Sequence, residues 1–372
     1  MLTEIRISRS ALVHNVRAFR KVIGPKIRLM AVVKSNAYGH GVGECAPIID
    51  RAGADWFGVA SVQEALALRK IIRTKPICVL SFVDGDDAEL AQAMRKNIRL
   101  PAYTLVMLQR YNRVARKART RARVHLKLDT GTTRIGFLPS ELHAVLALLR
   151  RLTRVVPEGV YSHFAEVESK HQKFSQLQHQ RFAALAKQVE QTLQKPLIKH
   201  MDCSAGVLVQ PDAHFDMVRV GMSLYGINTV ENPKRVVVRF PKFFLQPVLS
   251  WYTTVIQTKR IPAGTSIGYN RTYIAKRQTQ VAVLPVGYWD GLDRRLSNRG
   301  VTYVNNYRAI IRGRVCMNLT MVEVPFLTKV ATGAIVELIG PKATAAAMAA
   351  ECGTIPYEVL TRLNPLLPRR VT

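Results

Sequence analysis

Apolar residues recur along this chain in two rhythms. Through the first two-thirds, short apolar runs alternate with longer segments in which Leu, Ala and Ile return every three or four positions. The runs are "RLMAVV" (28–33), "WFGVA" (56–60), "PICVL" (76–80), "IRLPAY" (98–103), "RVHLKL" (123–128), "EGVYSHF" (158–164), "LIKHMDC" (197–203) and "DMVRVG" (216–221). They read as strands, and "SVQEALALRKII" (61–72) and "SELHAVLALLRRL" (140–152) are the clearest helices between them. Strands alternating with helices predict a parallel sheet. Eight such units, without a Rossmann-type GxGxxG after the first strand, favour a closed (β/α)₈ barrel over an open sheet. The segment "SRSALVHNVRAFRKVI" (8–23) reads as a preceding helix capped by Ser8 or Ser10.

The rhythm changes after about residue 230. "VLSWYTTVIQTKRI", "QTQVAVLPVGYW", "GVTYVNN", "RAIIRGRV" and "AIVELIG" are β-rich runs divided by Pro, Gly and Asn turns. Helical pattern is scarce until "KATAAAMAAECG" (342–353). The expected organisation is a barrel domain over 1–235 and a mostly β domain over 236–372, with "NPKRVVVRFPKFF" (232–244) at the transition.

The 372 residues are 48% apolar, which suffices for a sizeable core and suits two domains. The longest apolar stretches are too short to span a bilayer, and the charged N-terminus lacks the apolar core of a secretory signal. A cytoplasmic location without membrane partners is expected. Cys45, Cys78, Cys203, Cys316 and Cys352 have no metal-ligand spacing, so reduced thiols and no metal are expected.

Charge is the anomaly: 55 Lys+Arg stand against 25 Asp+Glu, a formal +30. Such a field attracts polyanions. The basic residues are spread along the chain, and no zinc finger, KH-like or RRM-like signature accompanies them. Specific nucleic-acid binding is therefore not expected. The densest run, "RVARKARTRARVH" (113–125), reads as a solvated helix face with its exit loop.

Chemistry enters at Lys34, directly after the run "LMAVV". A residue at the C-terminal end of a barrel strand points into the mouth where active sites of this fold lie. Apolar walls lower a lysine pKa, and a neutral amine can form an imine with an aldehyde. On these grounds alone, a surface lysine at a strand end remains the commoner case.

The longer string "VVKSNAYGHG" (32–41) resembles the cofactor-lysine motif of the pyridoxal-phosphate-dependent alanine racemase family. Further resemblances follow in chain order: "HLKLDTGTTRIGF" (125–137), "SHFA" (162–165), "HMDCSAG" (200–206), "VRVGMSLYG" (218–226), "AGTSIGYNRTYIA" (263–275), "PVGYWDG" (285–291), "GRVCMN" (313–318) and "PYEVLTR" (356–362). The resemblance spans nearly the whole chain. It implies a (β/α)₈ barrel with a C-terminal β domain, in agreement with the periodicity, and it implies that the extreme N-terminal "TEIRI" joins the β domain.

It also implies roles. Lys34 holds pyridoxal 5'-phosphate as a Schiff base and serves one face of the substrate, that of the D-enantiomer. Tyr269 serves the opposite face from a second subunit, with His163 and Arg219 as a polar relay behind it. Arg219 faces the pyridine nitrogen; because it cannot readily give up its proton, it leaves that nitrogen unprotonated. Arg134 lies near the substrate carboxylate and the cofactor phenolic oxygen, with Lys127 behind it at a position often carbamylated in the family; Asp129 is an alternative anion. Tyr38, Ser204, Gly221, Met222 and Tyr357 match phosphate contacts, and Met317 a residue at the substrate mouth, again from the partner. The implied assembly is a head-to-tail homodimer with shared active sites. The implied activity is interconversion of L- and D-alanine, supplying D-alanine for peptidoglycan.

Thr132, Cys203, Val220 and Asn318 depart from residues common in the family. They leave serine or broad-specificity racemisation open. Two other readings are a pyridoxal-phosphate-dependent decarboxylase of basic amino acids and, from the charge, a non-enzymatic nucleic-acid-binding protein.

Overall fold

The computed structural model describes residues 2–326 and 330–372. Two compact units emerge, one of Leu12–Ser35 and Ala46–Gln246, the other of Met1–Ala11, Asn36–Cys45 and Pro247–Thr372.

β1 (Thr3–Ile7) opens the chain. The first unit is then built on β2 (Arg28–Val32), β3 (Trp56–Val59), β4 (Ile77–Val79), β5 (Ile98–Ala102), β6 (Ala122–Lys127), β7 (Val155–Tyr161), β8 (Ile198–His200) and β9 (Met217–Val220). All neighbouring pairs in this eight-stranded sheet are parallel, in the order β8-β7-β6-β5-β4-β3-β2-β9. Main-chain bonds from Asp216 N to Lys199 O (3.1 Å) and from Arg219 N to Asp202 O (3.0 Å) tie β9 to the β8 segment and close the ring. Strands buried on both faces need continuous apolar runs, which is why these runs do not alternate. Met30, Trp56, Cys78 and Met217, from four neighbouring strands, form one buried cluster inside the barrel.

Helices between the strands start on side-chain caps. Ser61 Oγ accepts from Glu64 N, Asp86 Oδ1 from Ala88 N and Glu89 N, and Thr104 Oγ1 from Met107 N. Ser8 Oγ likewise accepts from Ala11 N at 3.2 Å at the start of the helix Arg9–Ile23.

The second unit contains β10 (Leu249–Thr254), β11 (Gln257–Ile261), β12 (Ser266–Ile267), β13 (Tyr273–Ile274), β14 (Thr279–Leu284), β15 (Val301–Val304), β16 (Tyr307–Ile311), β17 (Thr320–Val324), β18 (Ile335–Ile339) and β19 (Arg369–Val371). Nine strands form one sheet in the order β11-β14-β17-β16-β15-β18-β10-β1-β19, and β12 pairs with β13. β1 runs antiparallel to β10 and parallel to β19, so "TEIRI" does join the β unit. β10, β15 and β17 alternate buried and half-buried positions, as expected of strands with one face on a core. The two strands furthest from the sequence expectation, β17 and β19, are short or charged and lack a long apolar run.

Candidate active site

Lys34 follows β2 by two residues, at the C-terminal end of the strand. Burial lowers its pKa, the Arg134 charge lowers it further, and Glu64 opposes both. The chain then turns in an unusual way. Ser35, Asn36, Ala37 and Tyr38 have φ of 53°, 54°, 54° and 52°, a single turn of left-handed helix. Each such non-glycine residue costs about 1–2 kcal/mol, so neighbours must hold the turn. Glu64 does so from the barrel side: Oε1 accepts from Ser35 N (2.7 Å) and Oε2 from Ala60 N (2.8 Å). Asn36 Oδ1 accepts from Val42 N at 2.8 Å, a role that suits an asparagine in the left-handed region. Gly39 completes the turn with no room for a side chain, since a Cβ there would lie 1.9 Å from the Leu360 carbonyl oxygen.

Arg219 pairs in register with Met30 of β2, so it stands on the strand adjacent to the one that carries Lys34. It is buried, and its guanidinium is fixed by Nη1 to His200 Nδ1 (2.8 Å) and by Nη2 to Ser162 O (2.7 Å), Met201 O (2.8 Å) and His163 Nδ1 (3.2 Å). Burial lowers the Arg219 pKa from its usual value, but a guanidinium stays protonated at any working pH. It can only donate, so Nδ1 of both histidines must accept, which places each ring proton on Nε2. His200 Nε2 then donates to His125 Nδ1 at 2.7 Å. Burial first, then the Arg219 charge, drives His163 and His200 well below the ordinary histidine value, so both rings are neutral.

Lys127 ends β6 with only 3% exposure. Burial and the charge of Arg219 lower its pKa to about 7. Its Nζ lies 3.5 Å from Leu128 O and 5.2 Å from the centre of the Tyr161 ring. Asp129 is engaged by the main chain of its own loop. Its Oδ1 accepts from Gly131 N and Thr132 N at 2.8 and 2.9 Å, and its Oδ2 from Arg134 N at 3.3 Å, which shapes the loop. Thr132 is also structural: Oγ1 donates to His163 O at 2.8 Å, joining the loop to the end of β7. Ser204 Oγ accepts from Gly221 N at 3.0 Å, so these two expected oxyanion contacts meet. Met222 begins a 3₁₀ turn, Met222–Tyr225, whose first N–H groups have no acceptor within the turn.

The β unit holds the remaining expected residues. The Tyr38 and Tyr357 rings lie 6.3 Å apart, edge to face. Tyr269 is 71% exposed and Met317 55%. Asn270 and Arg271, at φ 60° and 50°, turn the chain sharply after Tyr269. A Cβ on Gly268 would come within 3.3 Å of Arg314 N, so this turn abuts the loop that carries Met317. Trp289 N donates to Met317 O at 3.0 Å, which adds another exposed aromatic to the same surface.

Sequence reasoning missed three contributors. His200 stood in a quoted motif but carried no role. His125 precedes Lys127 by two positions, so the period of a strand puts both on one face. Glu64 reads in sequence only as a helix-start acid. Among the described residues, no group of three or more His, Cys, Asp or Glu is placed to hold a metal.

This donor set fits pyridoxal phosphate: an amine of lowered pKa, a fixed guanidinium on the neighbouring strand, and hydroxyl and main-chain N–H donors. Comparison with known proteins agrees. Residues 7–229 match the model of the alanine racemase N-terminal domain, and residues 248–371 that of the C-terminal domain. The alanine racemase of Symbiobacterium thermophilum is 39% identical over 359 residues, covering 95% of this chain and 93% of that protein. The alanine racemase of Methanococcus maripaludis is 33% identical, covering 98% and 96%. The Streptomyces lavendulae alanine racemase structure superposes with a TM-score of 0.91 at 30% identity, covering 100% of this chain and 97% of that one. The Bartonella henselae alanine racemase, with covalently bound pyridoxal phosphate, does so at 0.87 and 27% identity, with both chains fully covered. From the lysine turn to the last β strand, this chain belongs to the alanine racemase family.

Proposed function

We propose that this protein racemises alanine with pyridoxal phosphate by a two-base mechanism, in sites completed by a second copy of the chain. One observation carries the reading: Lys34, with its lowered pKa, follows β2, and an arginine locked by four hydrogen bonds stands on the neighbouring strand β9.

When bound, the cofactor acidifies the Cα–H of the amino acid joined to it. Lys34 Nζ anchors it and, once released, accepts or returns a proton on one face of Cα. The Tyr269 hydroxyl does so on the other face. His163, with its proton on Nε2, donates toward the tyrosine oxygen and favours the phenolate. Arg219 fixes that tautomer and presents a permanent donor to the ring nitrogen, so no proton is delivered there. That restrains electron withdrawal and favours racemisation over loss of CO₂. Arg134 binds the substrate carboxylate, with Lys127 behind it. Ser204, Gly221, Met222, Tyr38 and Tyr357 hold the phosphate.

The homodimer is supported by exposure. Tyr269, Met317 and Trp289 (59% exposed) leave three large apolar side chains open on the β unit, as side chains at protein contacts are. A cytoplasmic location is supported by five free cysteines, as expected in a reducing compartment. No helix among the described residues is long and apolar enough to cross a membrane. The D-alanine formed would supply peptidoglycan.

Complementation tests the shared site. Lys34→Ala and Tyr269→Phe homodimers are each expected to be nearly inactive. Mixed equally, random pairing makes half the dimers hybrid, each with one intact site, which restores about a quarter of wild-type activity. No recovery on mixing would place both residues in the same chain's site.

A further inference from the structure

The two ends of the barrel differ sharply in charge. The four connections that enter β4, β5, β6 and β7 read "IRTKPI" (72–77), "RKNI" (95–98), "RKARTRAR" (116–123) and "RRLTRV" (150–155), with twelve basic residues and no acidic one. The loops that leave the same four strands carry five acidic residues, Asp84, Asp86, Asp129, Glu166 and Glu168, against two basic ones, Arg134 and Lys170. Because all eight strands are parallel, the basic connections gather at the N-terminal face, opposite the mouth that bears Lys34.

Helix dipoles do not account for this concentration. A cation at each helix C-terminus is favourable, but four helix ends do not call for twelve. Four carboxylates elsewhere at this end are already engaged: Glu158 with Arg99, Glu190 and Asp216 with Lys199, and Asp55 with Arg20. Arg73, Arg95, Arg116, Arg119, Arg121 and Arg151 are all exposed. The four helices Val62–Ile71, Asp87–Arg95, Leu105–Lys117 and Leu142–Arg151 end side by side along this arc. At 8–10 Å between helix axes the arc is about 25–30 Å long, close to one turn of a nucleic-acid duplex.

We propose that the N-terminal face of the barrel binds a nucleic-acid duplex through its phosphates, without reading sequence. Guanidinium groups suit bidentate contact with phosphate oxygens. The four segments contain no Phe, Tyr or Trp, so they offer no platform for stacking on bases. Ile71 is the one exposed large apolar side chain beside them among the described residues, which is too little to enter a bilayer. The surface lies away from the proposed catalytic residues, so binding is independent of turnover.

The test is fluorescence anisotropy of the cofactor-loaded enzyme with labelled 24-bp DNA and RNA duplexes across a salt series. About five phosphate contacts give a slope of log K against log salt near −4.5. R116Q/R119Q/R121Q is expected to reduce that slope by about 3 for either duplex and to leave racemase activity unchanged. A control with the same charge change on the β unit, K259Q/R277Q/R308Q, is expected to shift the slope by less than about 1. The proposal is overturned if the control weakens binding as much as the barrel variant, or if the wild-type slope is shallower than about −2. Tighter binding to phosphatidylserine vesicles than to duplex, at equal phosphate concentration, also overturns it.

Discussion

Lys127 is expected to react with CO₂, and the structure sets the pH at which it does so. The amine is buried at the end of β6, and its pKa is lowered to about 7. About nine in ten Lys127 amines are then neutral at pH 8, against roughly one in three hundred for a lysine at 10.5. Only the neutral amine adds CO₂, forming a nitrogen–carbon bond and releasing one proton to solvent. The product is an anion beside the Arg219 and Arg134 charges, which repel the protonated lysine and attract the carbamate. Asp129 does not compete for this role, because its oxygens are committed to loop N–H groups. Lowering the pH from 8 to 6 reduces the neutral fraction about tenfold, and the carbamate signal should fall with it. The assay is ¹³C NMR of protein equilibrated with labelled bicarbonate, comparing wild type with Lys127→Gln. The expected result is one carbamate resonance at pH 8, absent from the variant and strongly reduced at pH 6. No Lys127-dependent resonance at pH 8, or one indifferent to pH, refutes the reasoning.

Three further outcomes are expected. Burial holds His125 and His40 neutral, with pKa values lowered to about 4. Below about pH 6.5 the unfolded chain takes up protons that the folded chain refuses, so urea denaturation should show a loss of roughly 1.5 kcal/mol per histidine between pH 6.5 and 5. Asp202 is buried, both its carboxylate oxygens lack a hydrogen bond, and burial raises its pKa well above the usual value. The folded chain keeps a proton there that the unfolded chain releases, so stability falls as pH rises from the ordinary value near 4 through the raised one; Asp202→Asn should shift the urea midpoint upward, more at pH 8 than at pH 5. Ser35→Gly should relieve about 1 kcal/mol of left-handed backbone strain, raising the melting temperature, while lowering kcat because the turn after Lys34 is looser.

The barrel was legible because strands buried on both faces must be apolar throughout, and the helices between them repeat at three and four. Lys34 was legible as a strand-end residue by the same logic, although its reactivity rested on resemblance. The left-handed turn from Ser35 to Tyr38 was not legible, since none of those residues is a glycine and local preference opposes the conformation. It exists because Glu64, 29 residues away, bonds Ser35 N, and propensity does not encode a contact that distant. The histidine chain was hidden for a similar reason: His125 on β6, His200 on β8 and His163 just past β7 are far apart in sequence, and barrel closure brings Arg219 of β9 against His163 and His200. β19 escaped notice because a three-residue strand containing two arginines carries no apolar signal.

The most direct test of the central claim is chiral analysis of L-alanine incubated in D₂O with the pyridoxal-phosphate-loaded protein. Two bases on opposite faces predict equal final amounts of the enantiomers, with the first D-alanine already deuterated at Cα, and no conversion by Lys34→Ala. Ethylamine as the product, or early D-alanine that keeps its original α-hydrogen, would contradict the account.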